Sequence, residues 1–505
     1  VPLIDLDDLI EKRACLKVSQ IFSKYGEAHF RRMEKDVCQE ILLIDDVVIA
    51  TGGKTLLDKK NQSLLSNAGL IFTLLCSPEK LVARIPKNSG QRPLLAFHSK
   101  KTFHKIYHER EPQYLKLPNK IDTTSLHPEQ VVDKIKKIIQ GNKTQFKMIL
   151  EGKKSSVHVK TGLRDDVGQY IKRLSKEKKA FILSDEKVFS IYGNKLLGAL
   201  NNTGIEGKTF LLPPGERQKN LNAVKDIYDW LQEEKATRLT PFISFGGGVI
   251  SDIGGFVAST FHRGMTLVNI PTTLLAQVDA SIGGKNGVNF REAKNQIGTF
   301  FFPEFVLIDP LFLITLKRQQ IKEGLIEALK AGIIADEKLF ILIKNHASHL
   351  MLKDLLLLSQ VITLAVEVKT NIVHKDPFEK GIRKVLNLGH TFGHALEGLK
   401  RFQTLSHGQA VGLGMICAAK LAALSNLGSP EILLSLKDAL REMNAPTYLK
   451  NMDIPKILSL MQYDKKKKEG KTTFIVPNKI GKATIVENVD KNIILKSLKE
   501  ICHGS

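Results

Sequence analysis

Two histidines stand four residues apart in Asn387-Leu388-Gly389-His390-Thr391-Phe392-Gly393-His394, a spacing that puts both on one face of a helix. His407 opens a second loop-to-helix segment, His407-Gly408-Gln409-Ala410. Upstream, Glu323-Gly324-Leu325-Ile326-Glu327-Ala328-Leu329-Lys330 places Glu327 on a helix with Lys330 one turn beyond it. Three ligands drawn from Glu and His, with a fourth position open, suit a catalytic zinc. Lacking the glutamate of H-E-x-x-H, the histidine pair equally suits a non-haem iron or a proton relay. Any one of these histidines alone is more often a hydrogen-bonded core or surface residue.

A glycine-rich turn adds a second component. Phe245-Gly246-Gly247-Gly248-Val249-Ile250-Ser251-Asp252 follows a strand-like run and opens a helix. Its glycines let backbone approach a pyrophosphate, and the helix N-terminus offers free N–H groups and a positive dipole. The turn is not G-x-G-x-x-G, and a glycine cluster by itself is more often a plain turn. Its company changes the reading. Asp185 ends the first strand of this half, placed to accept from ribose hydroxyls; Pro214-Gly215-Glu216-Arg217-Gln218-Lys219 follows the second strand, and Pro271-Thr272-Thr273 a later one. Ligands of open α/β sheets bind beyond the carboxyl ends of strands, where all four segments fall, so a dinucleotide is expected.

Lys285, Lys294, Lys330, Arg263, Arg383 and the Lys465–Lys466 pair surround these motifs in sequence. A phosphorylated carboxylic acid needs Arg and Lys at both ends, as bidentate and point-charge partners. The 505 residues carry Lys+Arg 75 against Asp+Glu 52, a net charge of +23. The lysines are diffuse, and the one dense run, Lys465–Lys468, has only Tyr463 beside it, so no nucleic acid partner is expected. A hydrophobic share of 43% and a charged share of 25% exclude a mainly disordered chain. Five scattered cysteines without C-x-x-C fit a reduced, cytoplasmic setting. No leader pattern follows Val1, and apolar runs such as Leu355–Val366 are interrupted by Ser359, Gln360 and Thr363, so neither a secretory signal nor a membrane span is expected.

The elements that position these residues follow from periodicity. The front reads as alternating strands (Pro2–Asp5, Val47–Thr51, Leu70–Leu75) and helices, up to a helix over Pro128–Gln140 and a polar break at 141–145. Strands over Phe146–Glu151 and Ser156–Lys160 begin a new domain. Short apolar runs Phe181–Leu183, Thr209–Leu212, Pro241–Phe245, Thr266–Ile270 and Val306–Ile308, spaced by helices, predict a buried parallel sheet. After Asp309 amphipathic stretches dominate (Gln319–Ile334, Leu355–His374, Gly389–Leu399, Gln409–Leu427), which predicts a mostly helical half and a site in the cleft between the two.

From about Phe146 onward the chain resembles 3-dehydroquinate synthase of the shikimate pathway. The resemblance rests on Pro214-Gly215-Glu216, Gly246–Val249, Pro271–Leu275, Gln277-Val278-Asp279, Ile282–Lys285, Lys294-Asn295, Glu327–Lys330, Asn387–His394 and His407-Gly408. It implies NAD bound by Asp185, Gly215, Glu216, Lys219, Gly248, Val249, Ile250, Ser251, Asp252, Thr272, Thr273, Lys285, Lys294, Asn295, Phe312 and Thr315. It implies zinc or cobalt held by Glu327, His390 and His407. Asp279, Lys285, Lys330, Arg383, Asn387, His394 and Lys465 or Lys466 would surround a phosphorylated sugar-acid substrate. Arg263 matches an arginine that in this family reaches a neighbouring subunit, so a homodimer is implied. The family has His-Gly-Glu where this chain has His407-Gly408-Gln409; glutamine keeps size and acceptor but loses charge, which predicts weaker local electrostatics.

The implied reaction turns 3-deoxy-D-arabino-heptulosonate 7-phosphate into 3-dehydroquinate and phosphate, a phosphorus–oxygen lyase reaction. The metal lowers the pKa of the alcohol to be oxidised. NAD takes a hydride from C4, the ketone acidifies C5–H, and phosphate leaves, held by Lys285, Lys294, Asn295 and Arg263. The hydride then returns, the ring opens, and an intramolecular aldol step closes the carbocycle, with His394 relaying a proton.

The front segment resembles shikimate kinase without its beginning. Asp5-Leu6-Asp7, Gly26-Glu27, Phe30–Glu34, Ala50–Gly53, Arg92–Leu95 and Arg110–Tyr114 match in order. The match implies shikimate held by Asp7, Arg31, Gly52, Gly53 and Arg110, with Asp5 near magnesium and Arg92 in a lid. The phosphate-binding loop expected before Asp5 is absent, so no kinase activity is expected of this chain as given; an incomplete start would make the protein bifunctional. Gly53-Lys54-Thr55 imitates the end of such a loop, but the required first glycine falls on Val48. The family has a third glycine where Lys54 stands, and its side chain is expected to crowd the shikimate side.

The fold class is therefore α/β: a truncated P-loop-kinase-like domain over 1–140, a linker over 141–145, a Rossmann-like NAD-binding domain over 146–310, and a mostly helical metal- and substrate-binding domain over 311–505. Rival readings are a sister sugar-phosphate cyclase acting on sedoheptulose 7-phosphate or glucose 6-phosphate, an NAD- and metal-dependent alcohol dehydrogenase, and a non-catalytic scaffold.

Overall fold

A computed structural model describes residues 2–41, 47–84, 100–141, 144–150, 153–291, 293–399, 405–450, 452–467 and 473–502. Its contacts divide the chain into two units, Val1–Ile139 with Ser348–Leu356, and Gln140–Ala347 with Leu357–Ser505.

The first unit runs β1 (Leu3–Asp5), α1 (Leu6–Ala14), α2 (Val18–Ile41), β2 (Val48–Ala50), α3 (Lys59–Ala68), β3 (Thr73–Leu75), α4 (Pro78–Arg84), α5 (Lys100–Tyr114), β4 (Lys120–Asp122) and α6 (Pro128–Gln140). β1 pairs in parallel with β2, and β3 with β4. Asp5 caps α1, accepting from the Asp7 backbone at 2.9 Å. The apolar stripes of α1, α2 and α3 meet in a core containing Leu6, Ile10, Phe30, Val37 and Leu65.

The second unit begins with β5 (Thr144–Leu150), β6 (Lys153–Val159), α7 (Val167–Leu174), β7 (Lys179–Asp185), α8 (Glu186–Asn201), β8 (Glu206–Leu212), α9 (Leu221–Glu233), β9 (Phe242–Gly246), α10 (Gly248–Thr260) and β10 (Leu267–Pro271). A hairpin of β11 (Lys285–Phe290) and β12 (Ala293–Phe300) and then β13 (Phe305–Ile308) complete its α/β half. The sheet order is β5-β6-β13-β10-β9-β7-β8, parallel except for β5 against β6. Every residue of β9 and β10 is buried, because helices cover both sheet faces. Alternate residues feed two cores: Phe181, Leu183, Phe242 and Leu267 on one side, Ile182, Ile243, Val268 and Ile270 on the other. β8 and β9 flank β7, so the strand order reverses there and opens a crevice beyond the carboxyl ends of β7 and β9.

The helical half comprises α11 (Arg318–Ala335), α12 (Glu337–Met351), α13 (Leu355–Lys375), α14 (His390–Glu397), α15 (His407–Leu424), α16 (Pro430–Glu442), α17 (Ile454–Lys467) and α18 (Lys491–Lys499). It also holds an unanticipated hairpin, β14 (Thr473–Lys479) with β15 (Lys482–Glu487). Thr144, expected in a linker, already pairs with Val159, so the strand takes in the end of that segment. Two helices, α13 and α15, are long and apolar enough to cross a membrane; 56% and 72% of their apolar windows are buried inside the fold. The polar residues Ser359, Gln360 and Thr363 interrupt α13 without lowering its mean hydropathy below 1.5.

Candidate metal and substrate site

Three helices bring the metal candidates together. Gly389 caps α14 with a φ of 80°, and an added Cβ there would lie 2.7 Å from the Val411 carbonyl. A Cβ on Gly414 would lie 2.0 Å from the Gly389 carbonyl. The two glycines let α14 and α15 touch backbone to backbone, which sets the His390 and His407 rings 5.4 Å apart. α11 presents Glu327 to both. Ligand atoms of Glu327, His390 and His407 all lie within 4.8 Å of one another. Among the described residues neither buried oxygen of Glu327 has a partner in hydrogen-bonding geometry; Lys330 pairs with it as a charge, and His407 Nε2 stands 3.5 Å away. A buried carboxylate facing two imidazoles with no hydrogen bond of its own fits a divalent cation bound by one O and two N ligands.

The electrostatics hold Glu327 and His390 in donor form, while His407 keeps a proton that a bound cation would displace. Burial opposes charge on Glu327, but Lys330 and the two histidines outweigh it and hold the carboxyl well below its usual range. Burial, assisted by Lys330, lowers His390 to about 3, which leaves it a neutral donor. Burial also disfavours charge on His407, yet Glu327 and Glu397 override it and raise the imidazole to about 10. His407 Nδ1 lies 2.8 Å from Glu397 Oε1.

Around this centre the structure gathers most of the expected substrate residues. Lys330 follows Glu327 by one turn and is buried. Asp279 lies on a π-helical turn, Ala276–Ala280, where Lys369 of α13 pairs with its carboxylate. Lys285 meets Glu379 at 2.6 Å, and Asn387 donates to the same carboxylate at 2.9 Å. Arg383 is fully buried and donates to the carbonyls of Gly283, at 2.7 Å, and Pro377. The His394 ring lies 5.2 Å from His390 and 6.5 Å from His407, beside the trio. Arg263 stands exposed on a turn in which it and His262 both have positive φ, 59° and 51°. Lys465 and Lys466 fall on α17, but their side chains lie outside the described residues.

The dinucleotide candidates line the crevice. Asp185 ends β7 and caps α8 through the Val188 N–H. Gly248 opens α10, so the backbone of Gly248, Val249, Ile250 and Ser251 forms its first turn. Lys219 is buried between Asp252 and Asn295, with 2.5 Å to Asn295 Oδ1. Glu216 accepts from Asn289 at 2.9 Å, and the Asn289 N–H donates to the Lys219 carbonyl at 2.8 Å, so the turn carrying Gly215 is stapled to the β11–β12 hairpin. Thr272 is buried, its hydroxyl without a hydrogen-bond partner among the described residues, while Thr273 Oγ1 accepts from Ala276 N–H. Phe312 is buried between the rings of Tyr192 and Phe245, and Thr315 bonds the Tyr192 hydroxyl at 2.8 Å. Lys294 pairs with Glu397 at 3.3 Å.

The first unit has its own cluster. Arg31 pairs with Glu34 at 2.9 Å, and the buried Glu34 accepts from Thr55 at 2.7 Å. A Cβ on Gly52 would lie 3.3 Å from Asp7 Oδ1 and 3.7 Å from Glu34; one on Gly53 would lie 3.4 Å from the Tyr114 hydroxyl and 4.0 Å from Arg110. Asp7, Arg31, Gly52, Gly53 and Arg110 therefore share one place. Lys54 reaches across it to Glu27 at 2.8 Å, and Thr55 is spent on Glu34, so neither serves a phosphate nest. Asp5 is engaged as a helix cap, and Arg92 lies outside the described residues.

Comparison with known proteins gives this geometry a family. Residues 209–323 match the 3-dehydroquinate synthase N-terminal model and 324–467 the C-terminal model. The chain is 38% identical over 342 residues to 3-dehydroquinate synthase of Rippkaea orientalis, covering 67% of this chain and 93% of that protein. The chain belongs to the 3-dehydroquinate synthase family. The synthase of Prochlorococcus marinus strain AS9601 is 35% identical, covering 70% of this chain and 99% of that one. Among solved structures, 2-epi-5-epi-valiolone synthase from Streptomyces hygroscopicus subsp. jinggangensis, with NAD+ and Zn2+ bound, superposes with a TM-score of 0.64 at 29% identity, covering 68% of this chain and 96% of that one. The NADH-dependent butanol dehydrogenase A of Thermotoga maritima, at 15% identity and a TM-score of 0.52, covering 69% of this chain and 96% of that one, shares the fold. Residues 1–140 match the shikimate kinase model.

Three charged residues of this synthase-family site escaped sequence reasoning. Glu397 follows His390 by seven positions and His394 by three, so helical spacing alone placed it on their face. Glu379 sits in the loop before Arg383, with no periodicity to mark it. Lys369 is a lone cation in the middle of a largely apolar helix that ends in Lys375, and its role appears only once α13 packs beside Asp279.

Proposed function

We propose that the second unit converts 3-deoxy-D-arabino-heptulosonate 7-phosphate to 3-dehydroquinate and phosphate, as a phosphorus–oxygen lyase using NAD and a divalent zinc or cobalt ion. The observation that carries this reading is the convergence of Glu327, His390 and His407 within 4.8 Å in a chain with close synthase relatives. NAD and Zn2+ in the valiolone synthase support the cofactor choice.

An ion held by Glu327, His390 and His407 supplies Lewis acidity toward a substrate hydroxyl, and NAD supplies a hydride acceptor that is restored in each cycle. The N-terminus of α10 offers N–H groups and a positive dipole to the pyrophosphate. Asp279 and Lys369 hold hydroxyl and carboxylate groups of the sugar acid, and Lys330 keeps Glu327 ionised. Lys285, Lys294, Asn295 and Arg263 bind the phosphate, whose departure needs cations rather than a protein nucleophile. Arg383, committed to two backbone carbonyls, fixes the 377–383 loop and with it Glu379. His394, one turn from His390, holds and returns a proton at a ring nitrogen.

The test is phosphate release from the heptulosonate phosphate, with and without a chelator, alongside sedoheptulose 7-phosphate. Chelator-sensitive release from the heptulosonate without NADH accumulation is the expected result. Release from sedoheptulose 7-phosphate alone indicates a sister cyclase, and stoichiometric NADH indicates a dehydrogenase; either overturns the proposal.

We also propose that the enzyme works as a homodimer. Arg263 is exposed on a left-handed two-residue turn, a costly backbone for non-glycine residues that directs its side chain outward. Mixing R263A and H390A subunits should restore activity in heterodimers, which a monomeric enzyme cannot do.

A further inference from the structure

We propose that Glu397 is a positioning residue: one of its oxygens fixes the metal ligand His407, and the other ties that ligand to Lys294 on the β11–β12 hairpin. The inference rests on the metal reading of Glu327, His390 and His407 and adds a residue outside that set. Glu397 ends α14, whose first residue is the ligand His390, and its side chain is only 13% exposed. Its Oε1 accepts from His407 Nδ1 at 2.8 Å and its Oε2 from Lys294 at 3.3 Å.

Once Nε2 gives up its proton to a cation, an ionised carboxylate at Nδ1 keeps the remaining proton there, so that the Nε2 lone pair stays directed toward Glu327 and His390. Without that acceptor the ring is free to rotate or to change tautomer, and each alternative takes a nitrogen lone pair away from the ion. Among the described residues His390 has no carboxylate at Nδ1, which lies 3.3 Å from the Leu388 carbonyl. The donor set is thus held unevenly, with Glu397 restraining the ligand that begins α15. The Lys294 contact places the same carboxylate between the metal centre and a cation assigned to phosphate.

The experiment titrates metal-stripped protein with Co2+ and follows its visible absorption, which reports affinity and ligand geometry without turnover. In Glu397→Ala, Co2+ binding should weaken about 10- to 100-fold with an altered spectrum, since loss of a metal ligand's hydrogen-bond partner has effects of that order. Glu397→Gln, whose amide oxygen still accepts from Nδ1–H, should recover much of the affinity and the spectrum. Lys294→Ala should leave both within about twofold, the scatter expected when the ligand's own hydrogen bond is intact. Wild-type affinity and spectrum in Glu397→Ala overturn the proposal, as does a Lys294→Ala variant that loses as much. A wild-type protein that takes up no Co2+, or a Glu327→Ala variant that takes it up normally, overturns the metal reading itself. Equal thermal midpoints of the stripped variants establish that folding is not the cause.

Discussion

Lys369 grips Asp279 twice, pairing with its carboxylate and donating to its carbonyl oxygen at 2.6 Å. The lysine thereby closes the π-helical turn that carries Asp279 and brings a cation to it from a helix 90 residues further on. Burial lowers the ammonium to about 8, with Asp279 offsetting part of that loss.

The first prediction is a pH effect with opposite signs for activity and stability. The cation is present below about 8 and is lost as pH rises through that value. Turnover that needs it should fall on the basic side with a midpoint near 8, and Lys369→Arg should move that limb upward. In the unfolded chain the lysine keeps its proton until about 10.4. The folded state, which resists the charge, should therefore gain stability between about 8 and 10 in this group's contribution. Profiles of kcat/KM and Tm against pH check both; a basic limb that Lys369→Arg leaves in place contradicts the assignment.

The second prediction concerns the staple at Lys219. Its ammonium is almost wholly buried against Asp252, and burial raises Asp252 to about 6 despite that partner. Lys219→Met removes the partner that holds Asp252 down, so at pH 8 the buried acid must either stay charged without compensation or take up a proton, whereas at pH 5 it is already neutral with the lysine in place. The variant should lose about 3 kcal/mol of stability at pH 8, the low end for breaking a buried pair, and clearly less at pH 5. Urea unfolding at the two pH values measures the difference, and equal losses would show that Asp252 is not the cause. KM for NAD should rise in the same variant.

The parts legible in the sequence are those where a local pattern carries the structural information. β7, β9 and β10 announce themselves as short apolar runs because both sheet faces are covered, and α14 through its i, i+4 histidines. The β11–β12 hairpin hides because much of β12 is solvated and its Lys285-Asn286-Gly287-Val288-Asn289-Phe290 strand mixes polar and apolar residues on both faces. β14 and β15 are surrounded by helical periodicity in sequence, and only their mutual pairing defines them. The metal trio was readable residue by residue, while Lys369 and Glu379 act through contacts 90 and 94 positions away in the chain, to Asp279 and to Lys285 (379 − 285 = 94), which no local pattern encodes.

The third prediction settles the place of Gln409. Its side-chain oxygen accepts from the Ser406 N–H at 3.0 Å, forming the reciprocal half of a capping box at the start of α15. Beside the expectation of weaker local electrostatics, this contact gives the residue a capping role that either Gln or Glu performs. Gln409→Glu should leave kcat within about twofold, whereas Gln409→Ala should cost about 1 kcal/mol of stability through the lost cap. A large gain in metal affinity for Gln409→Glu, read by Co2+ titration, would sink this account.

The fourth prediction uses two glycines of one helix. A methyl group on Gly414 would meet the Gly389 carbonyl at 2.0 Å and the Gly393 N–H at 3.0 Å, backbone atoms that yield only if α15 moves off α14. A methyl on Gly412 would meet the ends of Leu440 and Ile326 at 3.3 Å and 3.6 Å, side chains able to shift by a few tenths of an ångström. Both changes gain about 1 kcal/mol of helix propensity, so propensity cancels between them. Gly414→Ala should cost about 1–3 kcal/mol as an overpacking change. It should also widen the 5.4 Å separation of the His390 and His407 rings and weaken Co2+ binding. Gly412→Ala should bind Co2+ as the wild type does. Because the helix spacing and the ligand spacing are set by the same backbone contact, equal Co2+ affinity in the two variants would mean that the histidines reach the ion without it.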